Sequence, residues 1–422
     1  MILGSTVVKC GSPMPAYPHA IRLRGPWNYE VLTRTALNEQ GHRPDAAAAL
    51  APVGRTILPA DWGATLGREF RGRVRYRRRF NRPSGLEGHE RVWLVVEGAD
   101  ACASATMNGR ELGAVLGYAL GAEFHVTGLF EASNELALDV ELPDVAARGV
   151  TILRPGRERK AGGPLGEVRL EVRSTVFIRD LTVWAEEEQG DPRLHVAGGI
   201  GGEVTDSSLA VVVGGHEREL LYGEVRAGQP FELSERVDDL PRWPASSGRD
   251  QMLPLEIKLV AGAASAWQIV RRTSCPRVTW EPVTQRLTLG NVPIGWPLPV
   301  FDPTAREIDE QLVRKWLATV DEGQGAAFGL REVLPAMSYD RFDSTGLPLF
   351  QYVPLAWAET VCPRLAHHPS IVAWAAPAGE LAQADRHQLA RTAFGRPWLA
   401  SEMALAVRSI DQDHSVAASP IQ

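Results

Sequence analysis

Apolar and polar residues alternate with a period of two along much of this chain before residue 284. Arg73-Val74-Arg75-Tyr76-Arg77 sets Val and Tyr on one side and arginines on the other, which predicts a half-buried β-strand. Glu135 to Leu142 alternates almost strictly. Arg91-Val92-Trp93-Leu94-Val95-Val96-Glu97 is more continuously apolar, as suits the inner part of a sandwich. Asn108-Gly109 predicts a tight hairpin turn, because both residues tolerate positive φ. Gly and Pro punctuate these runs at short intervals, so the chain to residue 185 is expected to be a β-sandwich. Leu209 to Val213 and Leu255 to Val260 predict strands of a second sandwich over 186–283.

From residue 284 the period changes. Ile308, Leu312, Val313, Trp316, Leu317 and Val320 fall on one face of a helix over 305–320, and Asp302, Pro303 and Thr304 supply its start signals. Strand-like runs at 325–334, 347–354, 371–376 and 396–400 then alternate with helical ones, the β/α order of the first half of a TIM barrel. A full barrel takes roughly 250 residues, and 284–422 falls well short. Half a barrel exposes strand edges unless something covers them, such as a second copy in a homo-oligomer, a partner chain or a rearranged small domain.

Composition narrows the picture. A chain of 422 residues with 44% hydrophobic content supports two or three globular domains. A net charge of −6 gives no electrostatic case for nucleic acid or membrane as partner, so the arginines of 71–79 are expected on a solvated sheet face. Cys10, Cys102, Cys275 and Cys362 are scattered without a CxxC or Cys/His cluster, which predicts free thiols in a reducing cytoplasm and no metal. Met1 to Cys10 lacks the basic start of a signal peptide, and no run approaches the ~20 apolar residues of a membrane span. No P-loop, G-x-S-x-G elbow or nucleotide fingerprint occurs, so no cofactor is implied. His367-His368 lacks a spaced third ligand and is expected to be structural.

The segment with the most chemical content is His368-Pro369-Ser370-Ile371-Val372-Ala373-Trp374, followed by Gly379-Glu380. It predicts a buried strand that delivers one carboxylate to the end of a sheet. The segment resembles glycoside hydrolase family 2, the β-galactosidases, β-glucuronidases and β-mannosidases. The family pattern is His-Pro-Ser-Ile-x-x-Trp and then Asn-Glu; Gly379 stands here where the family has Asn. The N-terminal part resembles the family's jelly-roll domain in Tyr76 to Phe80, Trp93-Leu94 to Gly98, Asn108-Gly109-Arg110-Glu111-Leu112-Gly113, Phe124-His125-Val126-Thr127 and Asn134 to Leu138.

That resemblance implies a jelly roll over 1–185, an immunoglobulin-like sandwich over 186–283 and a shortened TIM barrel over 284–422. It implies a retaining exo-β-glycosidase acting on a carbohydrate β-glycoside, with Glu380 as general acid/base. Such chemistry needs two carboxyl groups about 5–5.5 Å apart. Arg396 to Glu402 resembles the family's nucleophile strand and makes Glu402 the candidate nucleophile. The interval from Glu380 to Glu402 is shorter than one β/α unit of ~30 residues, whereas the family separates the two carboxylates by three strands; the family's Asp-x-Thr-Arg-Pro strand is the rival match. Arg331 matches the arginine of the family's Asn-x-Arg strand end, with Pro335 in register and Gly329 replacing the Asn, and reads equally as substrate-binding or as a surface or barrel salt-bridge residue. Asp343 matches a helix-end aspartate with Ser344 in place of Glu, and Gln351 stands where the family has Glu. Among Trp296, Trp316, Trp357 and Trp374, the one beside Glu380, Trp374, is the candidate for stacking on a sugar ring. With so many site positions altered, the alternative is a non-catalytic carbohydrate-binding or scaffold protein that keeps the fold.

Overall fold

The computed structural model describes residues 17–34, 53–68, 70–100, 102–117, 121–142, 161–203, 208–243, 252–261, 264–294, 300–301, 327–330, 333–334 and 336–401. The helix expected over 305–320, with Asp302, Pro303 and Thr304, lies outside the described residues, as do Cys10, Trp296, Trp316 and Pro335. The described chain is mostly β-sheet with few helices.

Two antiparallel sheets come first. The six-stranded one has the order β3-β2-β4-β9-β6-β7, built from β2 (Trp27–Arg34), β3 (Gly54–Thr56), β4 (Gly72–Asn81), β6 (Cys102–Met107), β7 (Arg110–Leu116) and β9 (Ser133–Leu142). The four-stranded one has the order β1-β10-β5-β8, from β1 (His19–Arg22), β5 (Glu90–Val96), β8 (Ala122–His125) and β10 (Val168–Ser174). The period-two reading holds residue by residue: Val74, Tyr76, Leu136, Leu138 and Val140 of one sheet pack with Val92, Leu94, Leu170 and Val172 of the other. Asn108 and Gly109 turn the β6–β7 hairpin at φ 50° and 76°.

Two further sheets follow, β11-β12-β15 and β14-β13-β17-β18, from β11 (Val176–Glu188), β12 (Asp191–Gly202), β13 (Leu209–Gly215), β14 (Arg218–Val225), β15 (Pro230–Arg236), β17 (Leu253–Ala261) and β18 (Ala264–Thr273). The expected boundary at 185/186 falls inside β11. Leu194, Val196, Val211, Val213, Ile257 and Leu259 belong to the same buried cluster as the first two sheets, so one core runs through both sandwiches. Short β16 (Arg242–Trp243) pairs in parallel with β19 (Cys275–Pro276).

The last block is a parallel sheet in strict chain order: β23 (Val300–Phe301), β24 (Phe328–Leu330), β25 (Leu349–Tyr352), β26 (Ile371–Ala376) and β27 (Trp398–Ala400). Its helices are α2 (Ala336–Thr345), α3 (Leu355–Leu365), α4 (Ala378–Gln383) and α5 (Arg386–Ala393), a one-turn α1 (Gly63–Leu66) lying earlier in the chain. From β24 to β27 each strand is linked to the next through at least one helix, which is what successive β/α units produce. The five described strands form an open sheet. One face, with Leu349, Ile371 and Trp374, packs on α2 and α3 through Tyr339, Phe342, Ala358, Val361 and Leu365. The other face, with Phe350, Val372, Ala375 and Leu399, is covered by Trp243 and by Leu287, Leu289 and Ile294. Those last residues come from or adjoin a small sheet of β20 (Val278–Glu281), β21 (Arg286–Leu289) and β22 (Val292–Pro293). No helix among the described residues is long and apolar enough to cross a membrane.

Candidate functional site

Every residue of β26 is buried, which fixes the strand in the middle of the parallel sheet. Pro377 then ends it, because its ring leaves no N–H for the ladder, and α4 begins at Ala378. Glu380 therefore stands in the first turn of a short helix just beyond the carboxyl end of the fourth strand. That is the end at which parallel β/α sheets carry their chemistry. Its side chain is exposed, and its Oε2 accepts the N–H of Leu355 at 3.2 Å, at the start of α3 on the neighbouring connection. Gln388 of α5 donates to the carbonyl of the same Leu355 at 3.3 Å. Two side chains, one from α4 and one from α5, thus hold the N–H and the carbonyl of one residue at the start of α3, a link no residue pattern announced.

The other candidates fall differently. Arg331 and Glu402 lie outside the described residues. The strand that leads to Glu402, β27, pairs directly with β26 through Trp374–Trp398 and Ala376–Ala400. It is the next strand along, not the third. Trp374 is fully buried, packs in the core shared with α2 and α3, and donates its indole N–H to the Ala393 carbonyl at 2.9 Å. A ring with no exposed face has none to offer a sugar, which corrects the expectation of stacking there. Gln351 is also fully buried; Tyr339 donates to its Oε1 at 2.6 Å, and its own amide donates to the Tyr352 carbonyl at 2.9 Å. Gly379 is exposed, and a Cβ there would meet nothing within 4 Å.

At the opposite, amino end of the sheet lies a polar cluster of another kind. Asp343 is buried, hydrogen-bonded to His368 Nδ1 at 2.7 Å and accepting the Ser370 N–H at 3.0 Å. Asp340, Asp343 and His368 bring three donor atoms within 4.8 Å of one another, but both oxygens of Asp343 already serve the fold. The His367-His368 pair is thus structural on its His368 side. Arg396 completes this end. It is buried and donates to the carbonyls of Ala366, His368, Ile371 and Phe394. Burial brings its guanidinium down to about 10, with Asp343 pulling the other way.

No family model matches this sequence, and no curated protein matches it. Solved structures do. The β-D-mannosidase of Dictyoglomus thermophilum superposes with a TM-score of 0.68 at 15% identity, over 90% of this chain and 57% of that one. A protein assigned as a β-galactosidase from Bacteroides fragilis gives 0.65 at 14%, over 85% of this chain and 58% of that one. The Bifidobacterium dentium β-glucuronidase, in complex with coumarin-3-O-glucuronide, gives 0.65 at 16%, over 93% of this chain and 76% of that one. The chain thus spans less than two thirds of the length of the first two. Two sandwiches followed by a sequential parallel sheet give this chain a fold shared with these β-mannosidase, β-galactosidase and β-glucuronidase structures, a glycoside hydrolase family 2-like fold.

Proposed function

We propose that the chain acts on β-glycosides as a retaining exo-β-glycosidase with Glu380 as its acid/base. The supporting observation is the place of Glu380, on the carboxyl side of the fourth of the five described parallel strands, in a fold shared with the glycosidases named above. In this reading the sheets at 1–185, 186–283 and 284–422 are a jelly roll, an immunoglobulin-like sandwich and a shortened TIM barrel. Glu380 protonates the departing glycosidic oxygen. A second carboxylate about 5–5.5 Å away forms the glycosyl-enzyme, and Glu380 then activates water. Glu402, the candidate that the resemblance supplies, is the proposed nucleophile. Arg331, beyond β24, is the proposed substrate-side cation. The free thiols of Cys102, Cys275 and Cys362 accord with a cytoplasmic setting.

A second reading is binding without turnover. It is favoured by the exposure of Glu380, whose carboxylate is engaged by Leu355, and by the internal use of Gln351. An acid catalyst works best in a partly desolvated pocket. Release of nitrophenol from aryl β-galactoside, glucuronide, mannoside and glucoside decides between them. Turnover that falls at least 100-fold in both Glu380→Gln and Glu402→Gln supports the two-carboxylate enzyme. Turnover lost only in Glu380→Gln moves the nucleophile elsewhere. No turnover by the unmodified protein, with sugar binding by calorimetry, supports the second reading.

A further inference from the structure

Helix α4 carries Glu380 yet has no buried residue of its own, so core packing does not set where that carboxylate points. Its backbone is closed by Leu381 on the Pro377 carbonyl at 3.0 Å and by Ala384 on the Leu381 carbonyl at 3.4 Å. Among the described residues, the hydrogen-bond partner of Glu380 is the N–H of Leu355, on Oε2. Leu355 can offer that N–H because α3 lacks a cap from its own segment. Pro354 stands at the N-cap position without a side-chain hydrogen bond, and the first N–H groups of a helix have no partner within it. A carboxylate from the neighbouring connection takes the place of the missing cap, where the helix dipole also favours a negative group.

Gln388 holds the other side of the same residue. Asp385 caps α5 by accepting the His387 N–H at 3.0 Å, and Gln388 lies three residues on. From that place a glutamine can fold back onto the N-cap of its own helix. Here it donates instead to the Leu355 carbonyl at 3.3 Å. One turn further along both helices, Arg391 donates to Glu359 at 2.7 Å, so α5 meets α3 at two successive turns. The carboxylate of Glu380 is thus held through Oε2 by a residue that α5 steadies, and Oε1 makes no hydrogen bond to a described residue. A carboxyl group fixed through one oxygen is free to carry its proton on the other.

We propose that Gln388 is a positioning residue for Glu380: by steadying Leu355 it sets the direction of the carboxyl group, so that Oε1 faces the departing oxygen. The inference rests on the reading of Glu380 as acid/base. In that step the proton on Oε1 passes to the glycosidic oxygen as the bond from that oxygen to the anomeric carbon breaks. The bonding pair leaves with the oxygen as an alcohol, the second carboxylate bonds the anomeric carbon, and Glu380 is left ionised to accept a proton from water.

The test uses the full chain and aryl β-glycosides whose leaving phenols run from strongly acidic (dinitrophenol) to weakly acidic (phenol), with amide exchange at the start of α3 read by mass spectrometry. Gln388→Met keeps the side-chain length and loses the donor; Gln388→Arg keeps a donor. In Gln388→Met, kcat/KM falls about tenfold on the phenyl glycoside, the scale of one hydrogen bond. On the dinitrophenyl glycoside, whose leaving group needs no proton, it falls by less than about twofold. Gln388→Arg recovers most of the loss, and the start of α3 exchanges faster in Gln388→Met and in Glu380→Ala than in the unmodified protein. A merely structural role lowers every glycoside alike. That result, or unchanged exchange in Gln388→Met, overturns the proposal while leaving Glu380 as acid/base. No turnover by the unmodified protein on any member overturns the acid/base reading and the proposal together.

Discussion

Glu171 shows how a single buried carboxylate shapes the response to pH. It lies between Arg169 and Arg173, at 2.8 and 2.5 Å, with side-chain exposures of 9%, 19% and 7% in that order. Burial pushes its carboxyl up, but the charges and hydrogen bonds of Arg173 and Arg169 outweigh burial and hold it below the ordinary range. A value lower in the folded than in the unfolded chain adds stability above the ordinary glutamate value of about 4.3. That stability is lost as pH falls through the folded value. Glu171→Gln removes the carboxylate the two arginines share and leaves Arg169 with Glu97 and Glu167 and Arg173 with Glu123; it is therefore expected to cost about 1–3 kcal/mol at neutral pH and to flatten the acid limb of a melting-temperature profile. Arg396→Met strands four carbonyls at the amino end of the sheet and is expected to cost at least about 3 kcal/mol in urea unfolding. Gly379→Asn meets open space and has no positive φ to strain, so it folds normally; under the enzyme reading it raises kcat on aryl glycosides about tenfold or more.

Individual strands were legible where packing is one-sided. Alternation at 73–77 and 135–142 marks β4 and β9, because one face meets the core and the other meets water. β26 was legible as a strand from its continuous apolar run, yet that same continuity hid which side each residue takes. With both faces buried, Trp374 carries no local mark of belonging to the helix side, and its sugar-stacking role failed there. Likewise, nothing local says that β20–β22 covers the face of the parallel sheet opposite α2 and α3; Leu287 and Phe350 share a cluster only through tertiary packing. Leu287→Ala is expected to cost about 2–5 kcal/mol and to speed hydrogen exchange in β25 and β26 more than in β4.

Across the whole molecule the hydrophobic clusters predict how it comes apart. The two sandwiches share one core, while the parallel sheet has its own on each face. Calorimetry should resolve one transition for the sandwiches and another for the parallel sheet. Trp243→Phe, which removes an indole hydrogen bond to the Asp343 carbonyl, lowers only the second. Among the described residues, three attachments between the blocks sit at the amino end of the parallel sheet. Trp243 reaches Asp343, Thr273 reaches the His367 carbonyl, and Trp184 meets Phe394, each on a segment that leads into a parallel strand. These three attachments are remote from the loops that leave the carboxyl end of the sheet. Those loops can lengthen, shorten or exchange residues without disturbing these attachments, so under the proposed function one scaffold can move between cleaving a sugar and merely holding it through loop changes alone.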